Sequence, residues 1–80
     1  MEEKTAVVAI IVHDFDNVEK VNALLSEYRA YIAGRMGLPM KDKGISVISV
    51  VVNAPMEAIN GLSGKLGMIK GVSSKVLTAK

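Results

Sequence analysis

Eighty residues, a net charge of +2 from ten basic and eight acidic side chains, one histidine and no cysteine exclude several kinds of protein at once. A disulfide framework or thiolate metal site has no ligands, and charges scattered along the chain do not make the footprint of a dedicated nucleic-acid binder. Half of the residues are hydrophobic, yet a domain of this size buries only about 60–65% of the surface its unfolded chain exposes. Self-association is the remaining source of buried area.

The chain starts MEEKT, with acids where a signal peptide carries its basic segment. The longest purely apolar run, Ala6 to Val12, is too short to span a bilayer. A soluble, cytoplasmic protein of one domain over residues 1–80 is expected, with no membrane partner.

AVVAIIV, Ala6 to Val12, is rich in β-branched residues and ends at HDFDN. It predicts a strand apolar on both faces. Asp14, Asp16 and Asn17 are helix-start residues, and Asp16 with Glu19 has the spacing of an acidic capping box. Val18, Val21, Leu24, Leu25 and Tyr28 then recur at helical spacing, predicting a helix from about Asn17 to Tyr31. Two glycines and Pro39 interrupt the next stretch, which suits a bent edge strand from about Ile32 to Met40. KDKG, Lys41 to Gly44, is a turn. ISVISVVVN, Ile45 to Asn53, is a second strong strand. Pro55 suits a helix start, and the helix would run from about Met56 to Ile69. Gly71 supplies the stop, and VSSKVLTA is the last strand.

The order β-α-β-β-α-β makes two split βαβ units and predicts an α+β, ferredoxin-like sandwich with two helices on one face of a four-stranded antiparallel sheet. Strands 1 and 3 would be central, and they are the most apolar. Strand 3 puts Ile45, Val47 and Val51 on one side, with Ser49 between, and Ile48, Val50 and Val52 on the other. Two helices cover one face of such a sheet. The second apolar face is expected to bury itself in a homo-oligomer, by stacking sheets or extending an edge.

Catalysis has little to stand on. There is no cysteine, and no serine carries a nucleophile signature. His13, Asp14, Asp16 and Asn17 form the most polar cluster, where a helix N-terminus could receive an anion or a small molecule. The plainer alternative is that Asp14 or Asp16 caps the helix and His13 ends the strand. A single histidine leaves at most a partial metal set, so no metal site is assigned. Arg35 could hold a carboxylate or phosphate, or could guard a sheet edge as a solvated charge. An RRM-like mode would stack bases on aromatics of the central strands, but Phe15, Tyr28 and Tyr31 all lie outside them.

GLSGKLGMIKGV, Gly61 to Val72, holds four of the seven glycines. Ile59, Leu62, Leu66 and Ile69 form one helical stripe through it, which places Gly61, Gly64 and Gly67 mostly on the opposite side. A Walker-type loop needs its glycines before the helix, so a phosphate loop is set aside. Glycine in a helix costs about 1 kcal/mol against alanine. The bare face, with Lys65 beside it, could admit a second backbone or a ligand; a frayed helix without a role is the alternative.

RMGLP (Arg35 to Pro39) and LSGKLGMIKGV (Leu62 to Val72), in this strand order, resemble the iron-only hydrogenase system regulator family. These are short ACT-like, ferredoxin-fold proteins similar to the C-terminal effector domain of nickel-responsive regulators. The resemblance runs from about Ala6 to Thr78. It implies a regulatory, ligand-sensing module that assembles into dimers or tetramers. The chain departs from the nickel-responsive pattern in having His13 as its sole histidine. Its first strand starts close to Met1, so a ribbon-helix-helix segment and direct DNA binding are not expected. HDFDN stands where amino-acid-binding ACT domains usually carry a Pro-Gly turn.

The function expected is a non-enzymatic regulatory module, a homodimer or homotetramer through its sheet, sensing a small ligand at subunit boundaries. The candidate contacts are His13, Asp14, Asp16, Asn17, Arg35, Gly61, Gly64, Lys65 and Gly67. The sequence specifies no cofactor and no ligand identity. The alternative is a structural interaction module that has no ligand and docks on a protein partner.

Overall fold

Alternation of side chains decides this architecture. The computed structural model describes residues 2–79. It contains β1 (Lys4–Val12), α1 (Val18–Glu27), β2 (Ile32–Met40), β3 (Ile45–Ala54), α2 (Met56–Gly67) and β4 (Val72–Thr78). The strands form one antiparallel sheet in the order β2-β3-β1-β4. That is the expected ferredoxin-like arrangement, with the two most apolar strands at its centre.

Successive strand residues face opposite sides of a sheet. In β1 the even positions Ala6, Val8, Ile10 and Val12 are buried, and in β3 Ile48, Val50, Val52 and Ala54 are buried with them. The helices close over this face with Val21, Leu24 and Leu25 of α1 and Ile59, Leu62 and Leu66 of α2. Each fully buried Ile, Leu or Val contributes roughly 1.5–3 kcal/mol relative to exposure, so this single layer supplies most of the hydrophobic stabilisation.

The expected helix from Asn17 to Tyr31 is shorter than its apolar spacing suggests. A 3-10 turn at Phe15–Asn17 precedes α1, and another at Arg29–Tyr31 follows it. Tyr28 leaves helical geometry with φ −104° and ψ 12°. Tyr28 and Tyr31 still pack against the core, but the chain must turn so that Ile32 can pair with Val52. The expected capping box is also replaced. Asp14, not Asp16, caps the first turn, its carboxylate accepting the Asp16 N–H at 3.0 Å.

Two glycines turn corners that other residues would strain. Gly44 ends the Lys41–Lys43 turn at φ 70°, and Gly71 leads into β4 at φ 78°. Both lie in the left-handed region, which costs an L-residue about 1–2 kcal/mol. Pro55 sits one position before α2, and its carbonyl accepts the N–H groups of Ala58 at 2.9 Å and Ile59 at 3.2 Å.

The far face of the sheet has no helix. It carries the odd positions of β1 and β3, including Val7, Ile11 and Val51, and the exposed side chains Met36 (66%), Leu38 (54%) and Leu77 (74%) of the two edge strands. Lys75 is the one acidic or basic residue that the strand registers place on this face, in a protein whose residues are 22% charged. The face is therefore poor in charge, and its uncharged polar residues are Thr5, Ser49, Asn53 and Ser73.

Candidate functional site

The turn between β1 and α1 is tied down from several sides. The His13 N–H bonds to the Gly71 carbonyl at 2.7 Å and the Asn17 N–H to the Asp14 carbonyl at 2.9 Å. The Asn17 side chain is buried and donates to the Lys70 carbonyl. The bonds to Lys70 and Gly71 clamp the turn to the loop before β4. A Cβ at Gly71 would stand 3.4 Å from the Asp14 Cβ, so the two loops meet closely. His13 Nε2 lies 3.2 Å from Ser73 Oγ. Most hydrogen bonds of HDFDN thus run within the turn or to the neighbouring loop, and Phe15 is turned outward, 42% exposed.

Phe15 forms one wall of an open cleft of about 360 Å³. Val18 and Asn22, four apart on α1, share a helix face and line the next wall. Arg35, Gly37 and Pro39 alternate along β2 and reach the same side of the sheet. Ser46 and Ile48 of β3 make the floor. The cleft exists because the helices do not extend over β2, which has no fully buried residue. Gly37 enlarges it, since a Cβ there would meet nothing within 4 Å.

Arg35 Nη2 donates to Asn22 Oδ1 at 2.7 Å across the cleft. That bond orients the asparagine amide and leaves its NH₂ and the other guanidinium N–H groups free to donate. No acidic residue lines the cleft. Among the described residues, Arg35 is the one charged side chain that lines it.

The other candidate residues lie on α2. Lys65 Nζ sits 5.3 Å from the centroid of the Tyr28 ring, a cation–π distance. Gly61 faces the same tyrosine, and a Cβ there would come within 3.1 Å of its hydroxyl. Gly64 and Gly67 open onto free space. The nine candidate residues therefore fall in separate places. Arg35 lines the cleft; His13, Asp14, Asp16 and Asn17 stand beside it in the clamped turn; Gly61, Gly64, Lys65 and Gly67 are on the second helix. Phe15, Val18, Asn22 and Ser46 escaped the sequence reasoning. Strand alternation, which places Arg35 and Gly37 on the side of Ser46, was the signal that could have found the cleft. Among the described residues, no group of three or more histidine, aspartate or glutamate side chains gathers as a metal set, and no helix is long and apolar enough to cross a membrane.

The sheet order β2-β3-β1-β4 and the two helices on one face define a module of the ferredoxin-like α+β class. The chain belongs to the TM1266-like family, whose description is "Iron-only hydrogenase system regulator, putative", matched over residues 4–76. It is similar to the uncharacterized protein TM1266 of Thermotoga maritima, with 32% identity, 99% of this chain and 100% of that chain covered, and a TM-score of 0.94. The fold also matches the ACT domain of GTP pyrophosphokinase from Chlorobium tepidum, at 17% identity, TM-score 0.75, over 100% of this chain and 90% of that one. The de novo designed protein Foldit4 shares it at 18% identity and TM-score 0.62, over 99% and 98% of the two chains. No curated protein matches the sequence.

Proposed function

We propose that this protein is a non-enzymatic regulatory module of the hydrogenase system that works as a homo-oligomer and responds to a small ligand. Family membership supports the regulatory role. The observation that carries the assembly is the uncovered sheet face, where Val7, Ile11, Met36, Leu38, Val51 and Leu77 are exposed and Lys75 is the one charged residue that the strand registers place. A second copy of the chain is the occupant that fits. Four strands about 4.8 Å apart and about 27 Å long give a footprint on the order of 500 Å², which two-fold stacking turns into a small interface. Stacked sheets would bring His13, Ser73 and Lys75, along one margin of this face, to the subunit boundary. Ligand contacts there would couple binding to assembly. His13 remains a candidate at that boundary, Asp14 and Asp16 remain candidates in the turn beside the cleft, and Asn17 is buried against the Lys70 carbonyl. On α2, Gly61 and Lys65 remain candidates beside Tyr28, and Gly64 and Gly67 on the open side.

A melting screen over amino acids, nucleotides, small organic acids and divalent cations tests this function. A ligand of the native state raises Tm by mass action. A rise for one chemical class, with a change in sedimentation for the same class, is the expected result. Flat melting across the screen would leave a structural interaction module with no ligand.

A further inference from the structure

We infer that the cleft between α1 and β2 binds a small monocarboxylate with an apolar body. This deepens the effector part of the proposed function, on which its regulatory meaning rests, by naming the ligand class and a place for it within one chain.

The polar groups of the cleft all can donate. Arg35 spends one N–H on Asn22 Oδ1 at 2.7 Å. Its remaining N–H groups, the Asn22 NH₂ and the Ser46 hydroxyl are the hydrogen-bonding side chains of a wall that contains no carboxylate. The guanidinium and the amide bonded to it put donors beside one positive charge, which selects an anion, and Ser46, opposite Pro39, lies further along the cleft. The planar guanidinium fork matches a carboxylate, which can take two parallel bonds. A single cation leaves part of a phosphate dianion's charge uncompensated. The rest of the lining is apolar: Phe15 and Val18 on one side and Ile48 on the floor. A volume of about 360 Å³ lies in the range of small-molecule sites, roughly 300–1,000 Å³. It holds more than a carboxylate, and the Phe15 ring offers a flat surface for the remainder.

Phenylacetate, its neutral amide phenylacetamide and inorganic phosphate are the probes, read by amide chemical shifts of the uniformly ¹⁵N-labelled protein. Phenylacetate in the millimolar range should move the signals of Asn22, Gly37 and Ser46. Phenylacetamide and phosphate should bind roughly tenfold more weakly or worse, since each lacks either the charge or the apolar body. Arg35→Met should weaken phenylacetate by a similar factor. Gly37→Val should do so by filling the cleft, and its new side chain meets open space on an exposed strand, so the spectrum should otherwise stay dispersed. No shift at these residues, an equal response to phenylacetamide or to phosphate, or unchanged binding by both variants would overturn the inference. Binding in the cleft without any change in sedimentation would instead sink the effector role and leave the site standing.

Discussion

Arg35 and Asn22 meet across an open cleft, the guanidinium of an edge strand donating to the amide oxygen of a helix at 2.7 Å. Both residues are exposed, so the bond does little for stability. An Asn22→Ala and Arg35→Ala double-mutant cycle should give a coupling below about 1 kcal/mol in urea unfolding. A larger coupling would mean that the pair holds the sheet edge in place.

Asn17 has the opposite character. Its side chain is buried and bonded to the Lys70 carbonyl, tying the first turn to the last loop. Asn17→Ala leaves that carbonyl without its partner, and should cost about 1–3 kcal/mol in unfolding free energy. A neutral substitution would show that water replaces the amide there.

The helix glycines should separate by sign. Gly64 faces open space, so Gly64→Ala should raise stability by about 0.5–1 kcal/mol. Gly61→Ala must push against the Tyr28 hydroxyl at 3.1 Å, and should gain less or lose. Gly71→Ala, at φ 78°, should lose about 1–2 kcal/mol. Thermal melting of the three variants side by side checks the order. Gly64→Leu adds a separate test: if that helix face receives a ligand or a second copy, assembly or ligand response changes along with stability.

Much of the fold was legible because most positions of β1 and β3 are apolar, on both faces. A strand apolar on both sides belongs in the middle of a sheet, and Gly34, Gly37 and Pro39 relegate β2 to an edge. The end of α1 was not legible. Tyr28 and Tyr31 continue the helical spacing, yet they reach the core through a 3-10 turn that the pairing of Ile32 imposes. The cleft was hidden for a different reason. Arg35 is conspicuous alone, but Asn22 bonds to it and Ser46 lines the same cleft only once α1 and β3 are laid beside β2. Local polarity drew attention to HDFDN, whose polar atoms bond mainly to each other and to the Lys70–Ser73 segment.

The uncovered sheet face makes the strongest demand on the protein in solution. Val51 pairs with Val7 at its centre, where a charge would be desolvated by any stacked partner at a cost of several kcal/mol. Val51→Lys points outward from the core, so a monomeric variant should keep the fold, seen as unchanged far-ultraviolet circular dichroism.

Sedimentation velocity of the wild-type protein at micromolar concentration, beside Val51→Lys, tests the central claim most directly. A dimer or larger assembly is expected for the wild type and a folded monomer for the variant. A wild type that sediments as a monomer at every concentration, or a Val51→Lys variant that assembles as the wild type does, would contradict it.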